Sequence, residues 1–329
     1  MIGQSPAFQE IVRLVGRMAA CDAPVLIEGE TGTGKELAAR AIHYQSERRN
    51  GPFIPVNCGA IPDSLIESEL FGHRKGAFTD AKDHQPGLIT LAEGGSLFLD
   101  EVDALSSKGQ VTLLRFLQDQ EFRPLGARHA EQGNVRILAA SNACLPDLAR
   151  TGAFRADLLY RLRILCLTLS PLRERREDVA CLANGFLGAC HRRFGLGAKA
   201  LHPETLGWME RYEWPGNIRE LENLLYREYL LCDGEVIRIA APPGLGAGAP
   251  GRGEAPGGDL TFSRAKAQAI EAFERDYLAR LLGLAGGNVS LAARLAGKER
   301  RSLGKLLKKH GLGHAVPPDG ARPVPALHP

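Results

Sequence analysis

The stretch Pro24-Val25-Leu26-Ile27-Glu28-Gly29-Glu30-Thr31-Gly32-Thr33-Gly34-Lys35-Glu36 decides how the rest of the chain is read. Its apolar half, PVLIEG, is short and bounded by turn residues, as a buried strand is. The helical pattern of residues 36–46 follows at once. Between them, glycines let the backbone curl so that successive N–H groups face a phosphate, and the helix N-terminus adds positive potential. Lys35 then reaches the terminal phosphates. The candidate nucleotide-binding residues here are Gly29, Glu30, Thr31, Gly32, Thr33, Gly34, Lys35 and Glu36. Glu36 stands where the general pattern has a Ser or Thr hydroxyl for magnesium, so the metal must lean on other ligands.

Those ligands are expected at Gly95-Ser96-Leu97-Phe98-Leu99-Asp100-Glu101, an apolar strand that ends in two carboxylates. A strand-end acid can hold magnesium, and its neighbour can orient or deprotonate the attacking water. Asp100 is assigned to Mg2+ and Glu101 to water.

Outward from these motifs, FIPVNC, VRILAAS and ILCLTL add three more short apolar runs, with helical patterns such as residues 109–119 between them. Strands alternating with helices predict an α/β fold with a mostly parallel sheet over residues 1–170. From Leu172 to Cys232 the strand signal gives way to helical periodicity, which predicts a helical lid subdomain over 171–240. Residues 241–259 are nearly all Ala, Gly and Pro, too poor in large side chains for a core, and predict a mobile linker. A compact helical segment over 260–312 and a disordered tail over 313–329 complete the expected domains.

The chain has 329 residues, enough for several domains, and its apolar content of 44% and charged content of 24% are ordinary for a globular protein. A formal charge of +3 decides little about partners, but its distribution does. Residues 286–310 carry seven Lys and Arg against the single acid Glu299. That is the footprint of a nucleic-acid contact. The seven cysteines form no C-x-x-C pair, which fits reduced, buried thiols. No apolar run approaches the ~20 residues of a membrane span, and the N-terminus lacks a secretory pattern. A cytoplasmic location and no membrane partner are expected.

Six stretches in order, GETGTGKE, FGHRKGAFTDA, GGSLFLDEV, FRADLLYRL, LSPLRERREDV and WPGNIRELEN, resemble the AAA+ central domain of bacterial enhancer-binding proteins. These are the ATPases that activate sigma-54 RNA polymerase. The resemblance runs from Ile2 to about Cys232 and implies ATP and Mg2+ as ligands. It implies that Asn57 links nucleotide state to loop position through Glu101. It implies that Arg155 and Arg161 are presented across a subunit interface to a neighbour's ATP, in keeping with guanidinium stabilisation of a transferring phosphoryl group. Asn142 takes the place of the family's polar sensor and Arg219 that of the second sensor, on the lid. Shared arginines require self-assembly, from dimer to hexameric ring. In the family, the loop Gly76, Ala77, Phe78, Thr79, Asp80, Ala81 touches sigma-54.

The sequence from Gly286 to Leu312 reads as helix, tight turn, helix. Asn288 or Ser290 can cap the first helix. Small Ala292, Ala293 and Ala296 allow close approach, and Leu303, Leu306 and Leu307 form the buried stripe of the second. It resembles the Fis-type helix-turn-helix of the same family, which implies binding to double-stranded DNA upstream of promoters. Ser290, Lys298, Arg300, Arg301, Ser302, Lys305, Lys308 and Lys309 are the candidate DNA contacts. The expected fold class is therefore an α/β AAA+ P-loop domain, a helical lid subdomain and a C-terminal all-α helix-turn-helix domain.

Two functional readings stay open. In the first, the protein hydrolyses ATP in a ring to remodel sigma-54 polymerase. In the second, it is a sigma-54-independent DNA-binding regulator that keeps the ATPase fold, because Asp80 replaces the second glycine of the family's GAFTGA. No sensory domain is expected before the ATPase, so either a separate regulatory protein acts in trans or the chain is truncated.

Overall fold

The computed structural model describes residues 1–77, 83–242, 278, 281, 285, 288–296 and 300–309. The chain divides into two units, residues 1–249 and 250–329. The first unit opens with a helix the motif reading passed over, α1 (Pro6–Ala19). Its Ser5 N-cap accepts from Phe8 N, and Pro6 sits where a missing N–H costs nothing. Ile11, Val15, Met18 and Ala19 recur at helical spacing and are buried.

The chain continues through β1 (Val25–Glu28), α2 (Lys35–Gln45), β2 (Phe53–Asn57), α3 (Ile66–Phe71), β3 (Gly72–His73), β4 (Gln85–Pro86) and α4 (Leu88–Leu91). Next come β5 (Ser96–Asp100), α5 (Ser107–Asp119), β6 (Glu121–Phe122), β7 (Glu131–Gln132) and β8 (Arg136–Ser141). The unit then runs through α6 (Leu145–Thr151), α7 (Ala156–Leu162) and β9 (Leu165–Thr168). The five expected strands form one parallel sheet in the order β2-β5-β8-β1-β9. Side chains alternate across it, as strand geometry requires. Leu26, Leu97, Leu99 and Ala139 pack with α3, α5 and α7 on one face. Ile27, Phe98, Leu138 and Ala140 pack with α1 and α2 on the other.

This order gathers distant residues at one edge. Gly29, Asn57, Asp100 and Asn142 each lie at or just past the carboxyl end of a strand, the edge where open α/β sheets bind ligands.

The lid comprises α8 (Asp178–Phe194), α9 (Pro203–Met209) and α10 (Asn217–Leu231) around Trp208, Met209, Trp214, Leu221 and Tyr229. It is not purely helical, contrary to the sequence expectation. β10 (Ala200–Leu201) and β11 (Val236–Ile237) form a short parallel pair, too brief for any periodic signal. Fully buried Asp178 ties the N-terminal segment to α8, accepting from Gln4 N (2.7 Å), Ser5 N (2.8 Å) and Ser5 Oγ (2.8 Å).

In the second unit, α11 (Val289–Leu295) and α12 (Arg300–Lys309) pack together. Asn288 is the N-cap of α11, its Oδ1 accepting from Ser290 N (3.0 Å) and Leu291 N (3.2 Å). Ala292 and Ala293 are buried with Leu303 and Leu307, joined by Leu278, Leu281 and Ala285. Expectations for Phe78, Thr79, Asp80, Ala81, Lys298, the linker from 243 to 259 and the tail 313–329 lie outside the described residues.

All seven cysteines are free; Cys58 and Cys190 are buried, whereas Cys21 and Cys144 are exposed, so the expectation of buried thiols holds only in part. Among the described residues, no helix is long and apolar enough to cross a membrane.

One buried group makes stability depend on pH. His43 on α2 is fully buried, with Nδ1 2.9 Å from Ser96 Oγ. Burial pushes the imidazole below its ordinary value, aided by the positive charges of Arg136 and Arg40 and opposed by a backbone hydrogen bond with Gly51. The folded state therefore prefers the neutral ring, and below about pH 6.5 the unfolded chain binds the extra proton. The stabilisation is present above that pH and lost as pH falls towards the depressed folded value. Denaturant midpoints should drop from pH 7 to 5, and His43→Gln should flatten that slope.

Candidate functional site

The phosphate loop leaves β1 and turns into α2 through two left-handed residues, Gly32 (φ +79°) and Gly34 (φ +99°). At Gly32 a side chain is also excluded by space, because its Cβ would lie 2.3 Å from Gly216 O. Thr33 Oγ1 closes the loop onto Glu30 O at 2.8 Å. Lys35, largely buried, donates to Gly29 O (2.6 Å), Glu30 O (3.1 Å) and Asn142 Oδ1. Burial lowers its pKa, while Asp100, Asp103 and Glu101 pull it upward.

A cleft of ≈ 360 Å³ is lined by Thr31, Gly32, Gly34, Lys35, Glu36, Leu37, Asp100, Glu101, Asn142, Ile218, Arg219 and Glu222. Eight sequence-selected loop and strand-end residues thus meet there together with lid residue Arg219. Burial raises the Asp100 carboxyl, against the lowering effects of the Glu101 amide and Lys35. Glu101 lies in the left-handed region at φ +53°, its N donating to Asp100 Oδ1 at 3.0 Å. That is a strained backbone of the kind found where a side chain must be aimed. Asn142 Nδ2 reaches Glu101 Oε1 at 3.5 Å. Asn57 Oδ1 and Glu101 Oε2 converge on Gly59, 3.3 Å and 3.1 Å from the position of a Cβ there.

Two of the loop acids do not point where the motif suggests. Glu36 pairs with Arg40 (2.7 Å) one turn along α2. The Glu30 side chain binds Arg173 and Asn217, so its backbone carbonyl alone faces Lys35. Glu30 is held down to about 2, chiefly by the Arg173 hydrogen bond and then by Asn217.

Arg155 and Arg161 lie apart from this cleft, both exposed on or just before α7. Arg155 forms an ion pair with Asp157 (2.6 Å). Its N donates to Gln110 Oε1 (2.9 Å), and buried Gln110 also donates to Leu105 O and Ala153 O. Gln110 therefore anchors the start of α7 to α5.

The motif reading missed further residues. Asp103 accepts from Ser141 Oγ (2.8 Å) and Asn142 N (3.3 Å), fixing the strand end that aims Asn142. The third acid of the DEVD run was its only sequence signal. An apolar cavity of ≈ 180 Å³ beside the loop is lined by Ile2, Phe8, Leu169, Leu182, Phe186 and Ile218 among others, with buried Arg175 in its wall. Arg175 Nε is buried without a partner. Such a cavity suits a flat heterocycle attached to the phosphates. Its parts come from four separate segments, and no local pattern marks them.

Gly76 and Ala77 lie at the stem of the β3–β4 hairpin. Arg74 N donates to Leu125 O and Leu125 N to Gly72 O, both at 2.9 Å, so the β6–β7 connection braces this stem. In the second unit, Ser290 lies in the first turn of α11; Arg300 and Lys308 are exposed on α12, the helix that also carries Arg301, Ser302, Lys305 and Lys309.

Hard carboxylate oxygens opposite a lysine are the donor set Mg2+ takes when phosphates complete its shell. Among the described residues there is no group of three or more His, Cys, Asp or Glu side chains that could hold a metal ion.

Comparison with known proteins agrees. Residues 1–168 match the sigma-54 interaction domain, and residues 173–245 match the AAA+ ATPase lid domain. The chain is 49% identical over 239 residues to the DNA-binding transcriptional regulator NtrC of Azospirillum brasilense, covering 73% of this chain and 50% of that protein. It is 40% identical over 319 residues to the regulatory protein AtoC of Escherichia coli strain K12, covering 96% and 68%. The structure of NtrX from Brucella abortus superposes with a TM-score of 0.70 at 32% identity, covering 94% of this chain and 69% of that one. An ATP complex of the same protein gives 0.69. The chain thus spans half the length of the NtrC relative. With the phosphate loop, the strand-end acids and the lid arginine gathered in one cleft, the chain belongs to the sigma-54 interaction domain family, with an AAA+ core and lid.

Proposed function

We propose that this protein is an ATP-hydrolysing, DNA-binding transcriptional regulator that acts on sigma-54 RNA polymerase. The observation that carries the reading is the meeting of Lys35, Asp100, Glu101, Asn142 and Arg219 in one cleft, in a chain that matches the sigma-54 interaction domain. ATP binding draws support from the ATP complex of the NtrX relative.

The base enters the apolar cavity near Ile2 and Ile218, and the phosphates lie along the loop amides. Lys35 exchanges its present carbonyl partners, Gly29 O and Glu30 O, for phosphate oxygens. Asp100 would hold magnesium, which would neutralise phosphate charge when bound. Glu101 orients a water whose oxygen attacks the γ-phosphorus while the bond to the β–γ bridging oxygen breaks. The water proton passes to the Glu101 carboxylate, and ADP and inorganic phosphate leave. Asn142 ties Glu101 to Lys35, so one side chain contacts both the base and the phosphate anchor. Asn57 relays this state towards the loop. Arg155 and Arg161 complete a neighbour's site within a ring. The DNA contacts in this reading are Ser290, Lys298, Arg300, Arg301, Ser302, Lys305, Lys308 and Lys309, which would meet a major groove as a helix-turn-helix does. The working protein acts in the cytoplasm, and a separate regulatory protein is a further partner in this reading.

Asp80 favours the second reading, regulation without sigma-54. Aspartate tolerates left-handed backbone better than most residues, so the turn can survive the exchange. Transcription from a sigma-54 promoter in vitro separates the two. ATP-dependent open-complex formation is expected, with Asp80→Gly raising it or leaving it unchanged. ATP turnover without open complexes in both proteins would leave only the sigma-54-independent regulator.

A further inference from the structure

Glu30, whose carboxylate turns away from the cleft, is also the point where the phosphate loop meets the lid. Glu30 accepts from both Arg173 Nη atoms, at 2.8 and 2.6 Å, and from Asn217 Nδ2 at 3.2 Å. Asn217 is fully buried; its Nδ2 also reaches Thr31 O (3.1 Å), and its Oδ1 accepts from Leu172 N (2.8 Å). Three segments therefore close into one ring of hydrogen bonds: the loop, the start of the lid, and the start of α10. Just beyond, Ile218 N and Arg219 N both donate to Gly32 O, at 3.0 and 3.4 Å.

The turn that presents Arg219 needs such support. Trp214 and Asn217 both lie in the left-handed region, at φ +47° and +52°. Non-glycine residues stay there only when their surroundings over-determine them. Trp214 Nε1 on Met209 O (2.8 Å) secures one end, and the Glu30–Asn217 bonds secure the other. The bidentate Arg173 contact then fixes the Glu30 carboxylate itself, as paired charge-assisted bonds do.

We infer that Glu30 is a positioning residue: through Asn217 and Arg173 it holds the start of α10, and so Arg219, over the cleft, and it makes no side-chain contact with the nucleotide. The inference rests on the hydrolysis reading above. Loop conformation and lid position are then one variable, since the atoms that shape the loop around phosphate also carry the lid arginine.

A double-mutant cycle on the full chain tests this, with ATP turnover and binding of a fluorescent ATP analogue as readouts. Glu30→Gln should lower kcat by ~10-fold or more while nucleotide Kd moves less than ~3-fold. In an Arg219→Ala background the same change should alter kcat by less than ~2-fold, because its effect runs through Arg219. Glu30→Asp, which keeps the charge, should recover part of kcat. Equal losses with and without Arg219, weakened binding at unchanged kcat, or no loss at all would each overturn the inference. A merely structural role gives the first of these, with a lowered melting temperature in both backgrounds. If Glu30→Gln does not fold, Arg173→Gln breaks the same pair from the lid side and is judged by the same cycle. Lys35→Ala keeps the two levels apart. Normal binding and turnover in that variant would sink the hydrolysis reading itself, whereas lost binding there with an additive Glu30 cycle would sink this inference alone.

Discussion

Glu101→Gln should retain nucleotide and lose turnover, with kcat lower by ~10²–10⁴-fold, the range a positioned general base contributes. Gln is close to isosteric with Glu and keeps an oxygen for the Asn142 contact at Oε1. The left-handed backbone at residue 101 is also unchanged by it, so the side chain stays aimed at the same spot. The proton acceptor is what disappears. In the proposed site nucleotide affinity rests on the loop amides, Lys35 and the apolar cavity, none of which the substitution touches. Equilibrium binding beside single-turnover hydrolysis measures both halves. Wild-type turnover in Glu101→Gln would show that another group takes the proton, and a parallel loss of binding would show that residue 101 holds the nucleotide instead.

Arg161→Ala should cost turnover on the scale of an arginine supplied to a transferring phosphoryl group, ~10³-fold or more, with ATP affinity little changed. The physical reason is distance from its own site. Arg161 is exposed on α7, and neither it nor Arg155 lines the cleft of its own chain. A guanidinium so placed can act on phosphate only across an interface. Mixing supplies the decisive measurement. Arg161→Ala and Lys35→Ala subunits should each be inactive alone. Combined, some interfaces join an intact loop to an intact Arg161, and part of the activity should return. Absence of any recovery would mean that Arg161 acts within its own subunit or only holds the fold. Arg155→Ala should behave in the same way with a smaller loss, because that guanidinium must first leave Asp157.

Much of this site was legible in the residues themselves, for reasons that differ by element. The five core strands declare themselves because each is a short, continuous apolar run, and a parallel sheet covered on both faces needs that pattern. The phosphate loop is legible because its geometry demands glycine at particular positions, and the left-handed Gly32 and Gly34 meet that demand. Two-residue strands such as β10 and β11 carry no period and so no signal. α1 lay outside the strand–helix alternation, although Ser5, Pro6 and the spacing of Ile11, Val15 and Met18 marked it. Glu30 shows the other limit. Its place in the motif suggested a ligand contact, but the motif cannot say which way a carboxylate turns once Arg173, far along the chain, comes within 2.6 Å. Gln110 and Asp103 are similar, ordinary polar residues until burial and partners give them a role.

The sequence by itself marked the residue sets on which the proposed chemistry rests: a phosphate loop, two strand-end acids, two arginines and a basic stretch over 286–310. Each of those depends on residue type at short spacing, which is local information. The tertiary structure alone decided how they combine. Strand order brought Asn142 between Lys35 and Glu101, folding of the N-terminal segment against the lid made an apolar cavity, and the α10 turn was locked onto the loop. These contacts join residues as much as 187 positions apart. A pairing at that separation is set by packing and backbone direction, to which no local pattern gives access.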